Sequence, residues 1–154
     1  MTEPMAPQLE PGALALVRVP ASHVDLLTRA VHGVLTTMMR DGQPQSSLVW
    51  VDFDGDTPLV NTTLERQKGR NMLANDRVSL LVVDPANTGR FIQIRGRAEL
   101  VREGAEAHLD AVTRKYTTHP CYYGHVYPLE QRERESRVIV RIHPTRVTLD
   151  AIHA

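Results

Sequence analysis

The chain has a single cysteine, Cys121, among its 154 residues. No internal disulfide can form, which fits a reducing cytosol. It also has no net charge, with eighteen basic residues balancing eighteen acidic ones. That argues against non-specific nucleic-acid binding, which rests on a basic surface. No apolar run approaches the roughly 20 residues of a membrane-spanning helix. The Walker phosphate loop, the Gly-x-Gly-x-x-Gly turn and the Gly-x-Ser-x-Gly nucleophile turn are all missing, and with them the textual signatures of ATPases, Rossmann enzymes and α/β-hydrolases. The first dozen residues are acidic and proline-rich without an apolar core. Residues 1–20 are therefore expected to form a flexible tail and not a secretion signal. Residues 21–154 are expected to form one domain, long enough for a real core.

What is present is mainly strand signal. Pro20 to Ala30 reads as a short helix, with Ser22 able to cap it and Asp25 in its first turn. Val31 to Met39 and Gln45 to Phe53 read as two strands joined by Asp41-Gly42, a pair that accepts the positive φ of a tight hairpin turn. Asp54-Gly55-Asp56 is a second turn, and Pro58 to Thr62 a third strand. Glu65 to Asn75 has helical character despite Gly69, which costs about 1 kcal/mol relative to alanine. Val78 to Val83 is a near-continuous apolar run, expected to be buried on both faces. Phe91 to Val101 alternates and is expected to bend at Gly96. Gly104 to Thr117 carries a helical stripe of Ala105, His108, Leu109, Val112 and Tyr116. An irregular aromatic segment follows, then Val138 to Ile142 and Val147 to Leu149, separated by Pro144. Consecutive hairpins with alternating faces suggest a small antiparallel β-barrel with helices at its ends, a sandwich being the alternative. Strands and helices do not alternate, so a doubly wound parallel sheet is not expected.

The densest chemistry lies between Asn61 and Val83. Arg66, Lys68 and Arg70 fall within five residues, beside the hydroxyls of Thr62 and Thr63. A lysine point charge, an arginine fork and the free N–H groups of a helix start together make a phosphate cradle, although such clusters also occur as solvated helix faces. His119, Cys121 and His125 lie within seven residues, but no second cluster completes a four-ligand set, so no metal site is expected. Trp50, the only tryptophan, sits on the strand that leads toward the basic loop. It reads as core or as the border of a planar ligand. His32 and His143 read as structural or surface residues. Tyr122, Tyr123 and Tyr127 suggest an aromatic lid or packing of an irregular loop.

These residues resemble the pyridoxamine-phosphate-oxidase-like flavin split barrels. Asn61-Thr62 followed by Glu65-Arg66-Gln67-Lys68-Gly69-Arg70-Asn71-Met72 is similar to that family's strand end and basic loop. Asn75-Asp76-Arg77-Val78-Ser79-Leu80-Leu81-Val82 is similar to its next buried strand. The resemblance implies a mainly β chain with short helices: a six-stranded antiparallel split β-barrel of the FMN-binding type. It also implies a homodimer with cofactors at the subunit interface. Pro44 to Trp50, Arg66 to Asn71 and Arg137 to Val147 resemble most the actinobacterial branch that uses the deazaflavin coenzyme F420. There the basic loop holds the coenzyme phosphate, which points first to Lys68, with Arg66, Gln67, Arg70 and Asn71 near it. Ser47, Leu48, Val49 and Trp50, with Asn61, Thr62 and Thr63, would border the ring.

Departures narrow the reading. The oxidases proper carry an arginine and a lysine on the second strand, within Arg-x-Val-Leu-Leu-Lys, where this chain has Ser46-Ser47-Leu48-Val49-Trp50-Val51. Gln67 also replaces the arginine before the loop lysine. Both changes argue against oxidation of pyridoxamine phosphate. The expectation is a cytoplasmic homodimeric reductase that moves a hydride from reduced coenzyme F420 to an unsaturated organic acceptor, with no membrane or nucleic-acid partner. The alternatives are an FMN enzyme of the same fold and a non-catalytic carrier of a cofactor or haem-like ligand. No obligatory side-chain nucleophile is evident. Tyr122, Tyr123 or water are unranked candidates for a proton donor.

Overall fold

A computed structural model describes residues 17–150. The expected tail lies mostly outside them. Seven strands form one antiparallel sheet: β1 (Gly33–Met38), β2 (Pro44–Val49), β3 (Asp52–Phe53), β4 (Pro58–Thr63), β5 (Arg77–Val83), β6 (Phe91–Val101) and β7 (Arg137–Leu149). Their spatial order is β2-β1-β5-β6-β7-β4-β3. The two outermost strands, β2 and β3, are neighbours in sequence, separated only by Trp50 and Val51. Val49 and Asp52 are three Cα–Cα steps apart, so their Cα atoms lie within about 11 Å. The sheet must therefore curl until its edges meet. The result is a split barrel, with the split at Trp50 and Val51.

This break corrects the single strand expected over Gln45 to Phe53, and it raises the strand count from six to seven. Its cause lies far along the chain. Helix α3 (Ala105–Tyr116) sends two side chains to the broken segment. The Tyr116 hydroxyl accepts the Val51 N–H at 2.8 Å and donates to the Val31 carbonyl at 2.7 Å. Lys115 Nζ donates to the carbonyls of Val51 and Leu27, at 2.7 and 3.0 Å. Backbone groups that would otherwise be orphaned in a buried, irregular stretch are thus satisfied.

The barrel interior is apolar. Leu35, Val60, Leu80, Val82, Ile92, Ile94, Val140 and Ile142 are wholly buried, with Leu26 and Leu27 of α1 (Asp25–Thr28) closing one end. Each such side chain contributes about 1.5–3 kcal/mol relative to exposure. β6 bends where expected: the register shifts between Arg95 and Gly96, with Pro144 opposite Gly96. A Cβ on Gly96 would lie 2.3 Å from the His143 carbonyl oxygen. β7 runs through Pro144 as one strand because proline is tolerated at a bulge.

Other expectations shift. The first helix is a 3-10 turn (Ala21–His23) followed by a single α turn, and Ser22 does not cap it. Its hydroxyl meets His23 Nδ1 instead, while Asp25 pairs with Arg90 and Arg29. Only one face of β5 is fully buried; Ser79, Leu81 and Val83 on the other are half-buried. Helix α2 (Gln67–Ala74) starts two residues later than expected. Gly69 lets it sit against the end of β4, since a Cβ there would lie 2.0 Å from the Thr63 carbonyl oxygen.

Candidate functional site

A cavity of about 330 Å³ opens beside the split. Its walls come from β2 and the break (Leu48, Val49, Trp50), β4 (Asn61), the α2 entry (Arg66, Lys68), α3 (Leu109, Val112), the aromatic loop (Tyr122, Val126), His32 and Arg137. Trp50 stacks on Tyr116, with ring centroids 5.4 Å apart, and meets the edge of Tyr122 at 6.3 Å. The lining is thus partly aromatic and aliphatic and partly cationic.

The cationic part is Lys68, Arg66 and Arg137. Lys68 Nζ donates to Ser47 Oγ at 2.9 Å, a hydroxyl that adds no counter-charge. Burial, and then the neighbouring Arg66 charge, hold the Lys68 ammonium below its ordinary pKa. Arg66 is the N-cap residue of α2, and no side chain caps that helix. The first N–H groups of the helix therefore lack intrahelical partners. The nearest carboxylate to Arg66 is Glu135, at 3.9 Å.

Arg137 is held more tightly. Its guanidinium lies 4.7 Å from the Tyr122 ring centroid and pairs with Glu135 at 2.9 Å. Nε donates to the Tyr123 hydroxyl at 2.9 Å, and Nη1 donates to Asn61 Oδ1 at 3.3 Å. Burial opposes the Arg137 charge, but the Tyr123 and Glu135 contacts outweigh it and hold its pKa above the ordinary value. Burial, then the hydrogen bond to Glu135 at 2.6 Å, push the Tyr123 phenol up to about 12.

Asn61 is fixed from three sides. Its amide nitrogen donates to the Ala105 carbonyl at 2.8 Å and to His108 Nδ1 at 3.1 Å, while its oxygen accepts from Arg137. His108 Nε2 then donates to Asp52 Oδ2 at 3.1 Å. That hydrogen bond, with others, holds the Asp52 carboxyl below the usual range against the effect of burial. His108, expected on an apolar stripe, is a polar strut behind the cavity wall.

The structure brings together Leu48, Val49, Trp50, Asn61, Arg66 and Lys68, with Ser47 bonded to Lys68. It separates others. Thr62 is wholly buried, its hydroxyl has no partner, and it does not line the cavity. Thr63 Oγ1 accepts the Arg66 N–H at 3.3 Å and shapes the loop. Gln67, Arg70 and Asn71 face a second groove of about 460 Å³, together with Met38, Met39 and Arg40. Asn71 pins α2 to β1 through Thr37 Oγ1 at 3.0 Å, and Arg70 bonds Gln67 Oε1 at 2.8 Å. Arg137, His32, Leu109 and Val112 also line the cavity, although the sequence reads His32 as structural or surface, Leu109 and Val112 as an apolar helix stripe, and Arg137 only as the start of a strand resembling the deazaflavin branch. Within the described residues no group of three metal-ligating side chains converges; Cys121 Sγ lies 3.2 Å from His125 Nδ1.

A curled antiparallel sheet with a cationic, aromatic-lined cavity at its split is a split β-barrel. The family model of pyridoxamine 5'-phosphate oxidase matches residues 19–150, and the chain belongs to that family. No curated protein matches the chain. Among solved structures, one titled F420 Reductase is 32% identical, with a TM-score of 0.70, covering 84% of this chain and 98% of its own. A conserved hypothetical protein from Mycobacterium tuberculosis is 27% identical, with a TM-score of 0.63 and coverages of 88% and 86%. General Stress Protein 26 from Bacillus anthracis, 15% identical with a TM-score of 0.57 and coverages of 82% and 89%, shares the fold.

Proposed function

We propose that this chain is a coenzyme F420-dependent reductase acting on an unsaturated organic acceptor. The observation that carries the reading is one cavity uniting Lys68 and Arg66 with the Trp50 and Tyr122 rings. The likeness to the structure titled F420 Reductase supports it. A charged rim suits a phosphodiester, and the apolar wall suits a tricyclic ring. Ser46 and Val51 stand where the oxidases proper carry an arginine and a lysine, which weighs against FMN and its terminal phosphate.

When bound, the reduced coenzyme supplies a hydride from C5. The chain's own residues bind, orient and exclude water. Lys68 and Arg66 hold the phosphate, and the α2 N–H groups add donors. Trp50, Leu109 and Val112 shield one side. Tyr122 lines the cavity and is the better-placed of the two tyrosines to pass a proton to the product. The Tyr123 hydroxyl is committed to Glu135 and Arg137.

Coenzyme oxidation followed by its absorbance, with a panel of enones and quinones, tests the reading. Acceptor-dependent turnover is expected. Tight binding with no turnover on any acceptor favours the carrier alternative.

The working unit in this reading is a cytosolic homodimer. No helix among the described residues is long and apolar enough to cross a membrane. The outer sheet face aligns Leu48, Val34 and Leu81 across β2, β1 and β5, and Leu48 is 70% exposed. A second copy would cover this row. Sedimentation at micromolar concentration should show a dimer, with more than roughly 2,000 Å² buried in total. A monomer refutes this part.

A further inference from the structure

The polar contacts behind the cavity wall fix more than the position of Asn61. They also fix which of its atoms the cavity meets. The Ala105 carbonyl can only accept, so the Asn61 amide nitrogen must lie on that side, where it donates at 2.8 Å. Its second N–H points to His108 Nδ1 at 3.1 Å. That ring nitrogen must then be the bare one, with the ring proton on Nε2, facing Asp52 Oδ2 at 3.1 Å. A carboxylate can only accept, so Asp52 demands the same tautomer from the other end. The second Asp52 oxygen meets Lys115 Nζ at 3.6 Å. The His108 side chain is only 10% exposed, which leaves it little water as an alternative partner.

What Asn61 has left to offer is an oxygen. Both of its N–H groups are spent, while Oδ1 accepts from Arg137 Nη1 at 3.3 Å and retains a lone pair. Asn61 and Arg137 both line the cavity. Arg137 spends three of its N–H groups on Tyr123, Asn61 and Glu135 and keeps the others. An acceptor thus stands beside a donor in the lining. Such a pair is complementary to a planar group that carries an N–H next to a carbonyl, as a cyclic imide does. The pyrimidinedione end of a deazaflavin or flavin ring presents that edge; an all-carbon aromatic ring does not.

We propose that His108 and Asp52 are positioning residues: they hold Asn61 with its carbonyl oxygen toward the cavity, so that Asn61 and Arg137 select a ring by its imide edge. The proposal rests on the reading of the cavity given above. Neither His108 nor Asp52 lines the cavity, so both act through Asn61. The relay has a direction in pH. A second imidazole proton goes to Nδ1 and sets a donor against the Asn61 N–H. Turning the amide over puts its nitrogen against Arg137 and its oxygen against the Ala105 carbonyl. The charged groups in contact with the relay are Asp52 on β3, Lys115 on α3, and Arg137 on β7 with its partner Glu135. Asp52 is held below the usual carboxylate range, first by the hydrogen bond from His108, and so stays ionised while a histidine titrates. Affinity for the imide edge therefore falls as the pH falls.

The test uses the full chain and two ligands: coenzyme F420, and the same coenzyme methylated at its imide nitrogen. The parent should bind the methylated form at least tenfold more weakly, about 1.4 kcal/mol. Asn61→Leu should bind the two forms within about threefold of each other. His108→Phe fills a similar space without hydrogen bonds and should narrow the parent's preference by about threefold or more. From about pH 8 to about pH 5 the parent should lose affinity relative to His108→Phe at the same pH, a ratio that cancels the ligand's own ionisation. Nitrogen-15 NMR of the unliganded parent needs no substitution. It should show His108 protonated at Nε2 and bare at Nδ1 at about pH 8. The opposite tautomer, a preference retained by Asn61→Leu, equal affinity of the parent for both forms, or one pH profile shared by parent and His108→Phe overturns the relay and leaves the reading of the cavity standing. If FMN binds and coenzyme F420 does not, that reading falls, and FMN with its N3-methyl derivative tests the relay in the same way. If the parent binds none of these rings, both fall together.

Discussion

The barrel interior and the cavity wall are built in opposite ways. Inside, Leu80, Ile94 and Val140 come from adjacent or facing strands and bury nothing but carbon. In and behind the wall, Arg137, Asn61, His108 and Asp52 form a chain of polar contacts drawn from β7, β4, α3 and β3. The interior needs only volume and alternation. The wall needs each donor to meet one acceptor, and it leaves Lys68 and Arg66 with little counter-charge. Stability and binding should therefore separate by substitution.

The largest effect is expected in the interior. Leu80→Ala should cost about 2–5 kcal/mol of unfolding free energy through lost transfer and a residual cavity. Affinity of the folded fraction should barely change. A denaturant titration alongside a binding titration checks both halves; a large affinity loss without destabilisation would erase the distinction. Lys68→Ala should do the converse. It should weaken coenzyme binding by about 1.5–3 kcal/mol, by removing a charge-assisted contact, and leave the melting temperature within a few degrees. Equal affinity of mutant and parent at matched salt contradicts that assignment.

A smaller effect sharpens the same contrast. Burial and Arg66 depress the Lys68 pKa below its ordinary value of 10.5. Deprotonation removes the positive charge, so anion affinity must fall as pH rises, beginning on the acid side of 10.5. Lys68→Arg should flatten that alkaline fall, because arginine stays charged throughout. An unchanged profile in the variant assigns the titration to another group.

Much of this architecture is legible in the sequence. Phe91–Val101 alternates, and it forms one strand with its irregularity beside Gly96. Asp41-Gly42 announces a hairpin, and Gly42 has φ +86°. The break at Trp50 and Val51 is not legible, because the local residues read as one continuous strand. It is held open by Lys115 and Tyr116, more than sixty positions away. The basic loop is legible as a cluster but not as a geometry. An α-helix turns about 100° per residue, so Arg70 points roughly 200° from Lys68 and lines a different groove. Arg137 is legible as the start of a strand resembling the deazaflavin branch, but not as a cavity residue. It opens an apolar strand, and its ring partners, Tyr122 and Tyr123, come from an irregular segment.

The central claim is that the cavity beside the split is a deazaflavin site. The most direct measurement is a side-by-side binding titration of the purified protein with coenzyme F420 and FMN at low salt. The account predicts at least tenfold tighter binding of coenzyme F420, about 1.4 kcal/mol, with the preference declining as salt screens its anionic tail. FMN copurifying in stoichiometric amount, and not displaced by coenzyme F420, would contradict it and assign the hydride chemistry to a flavin.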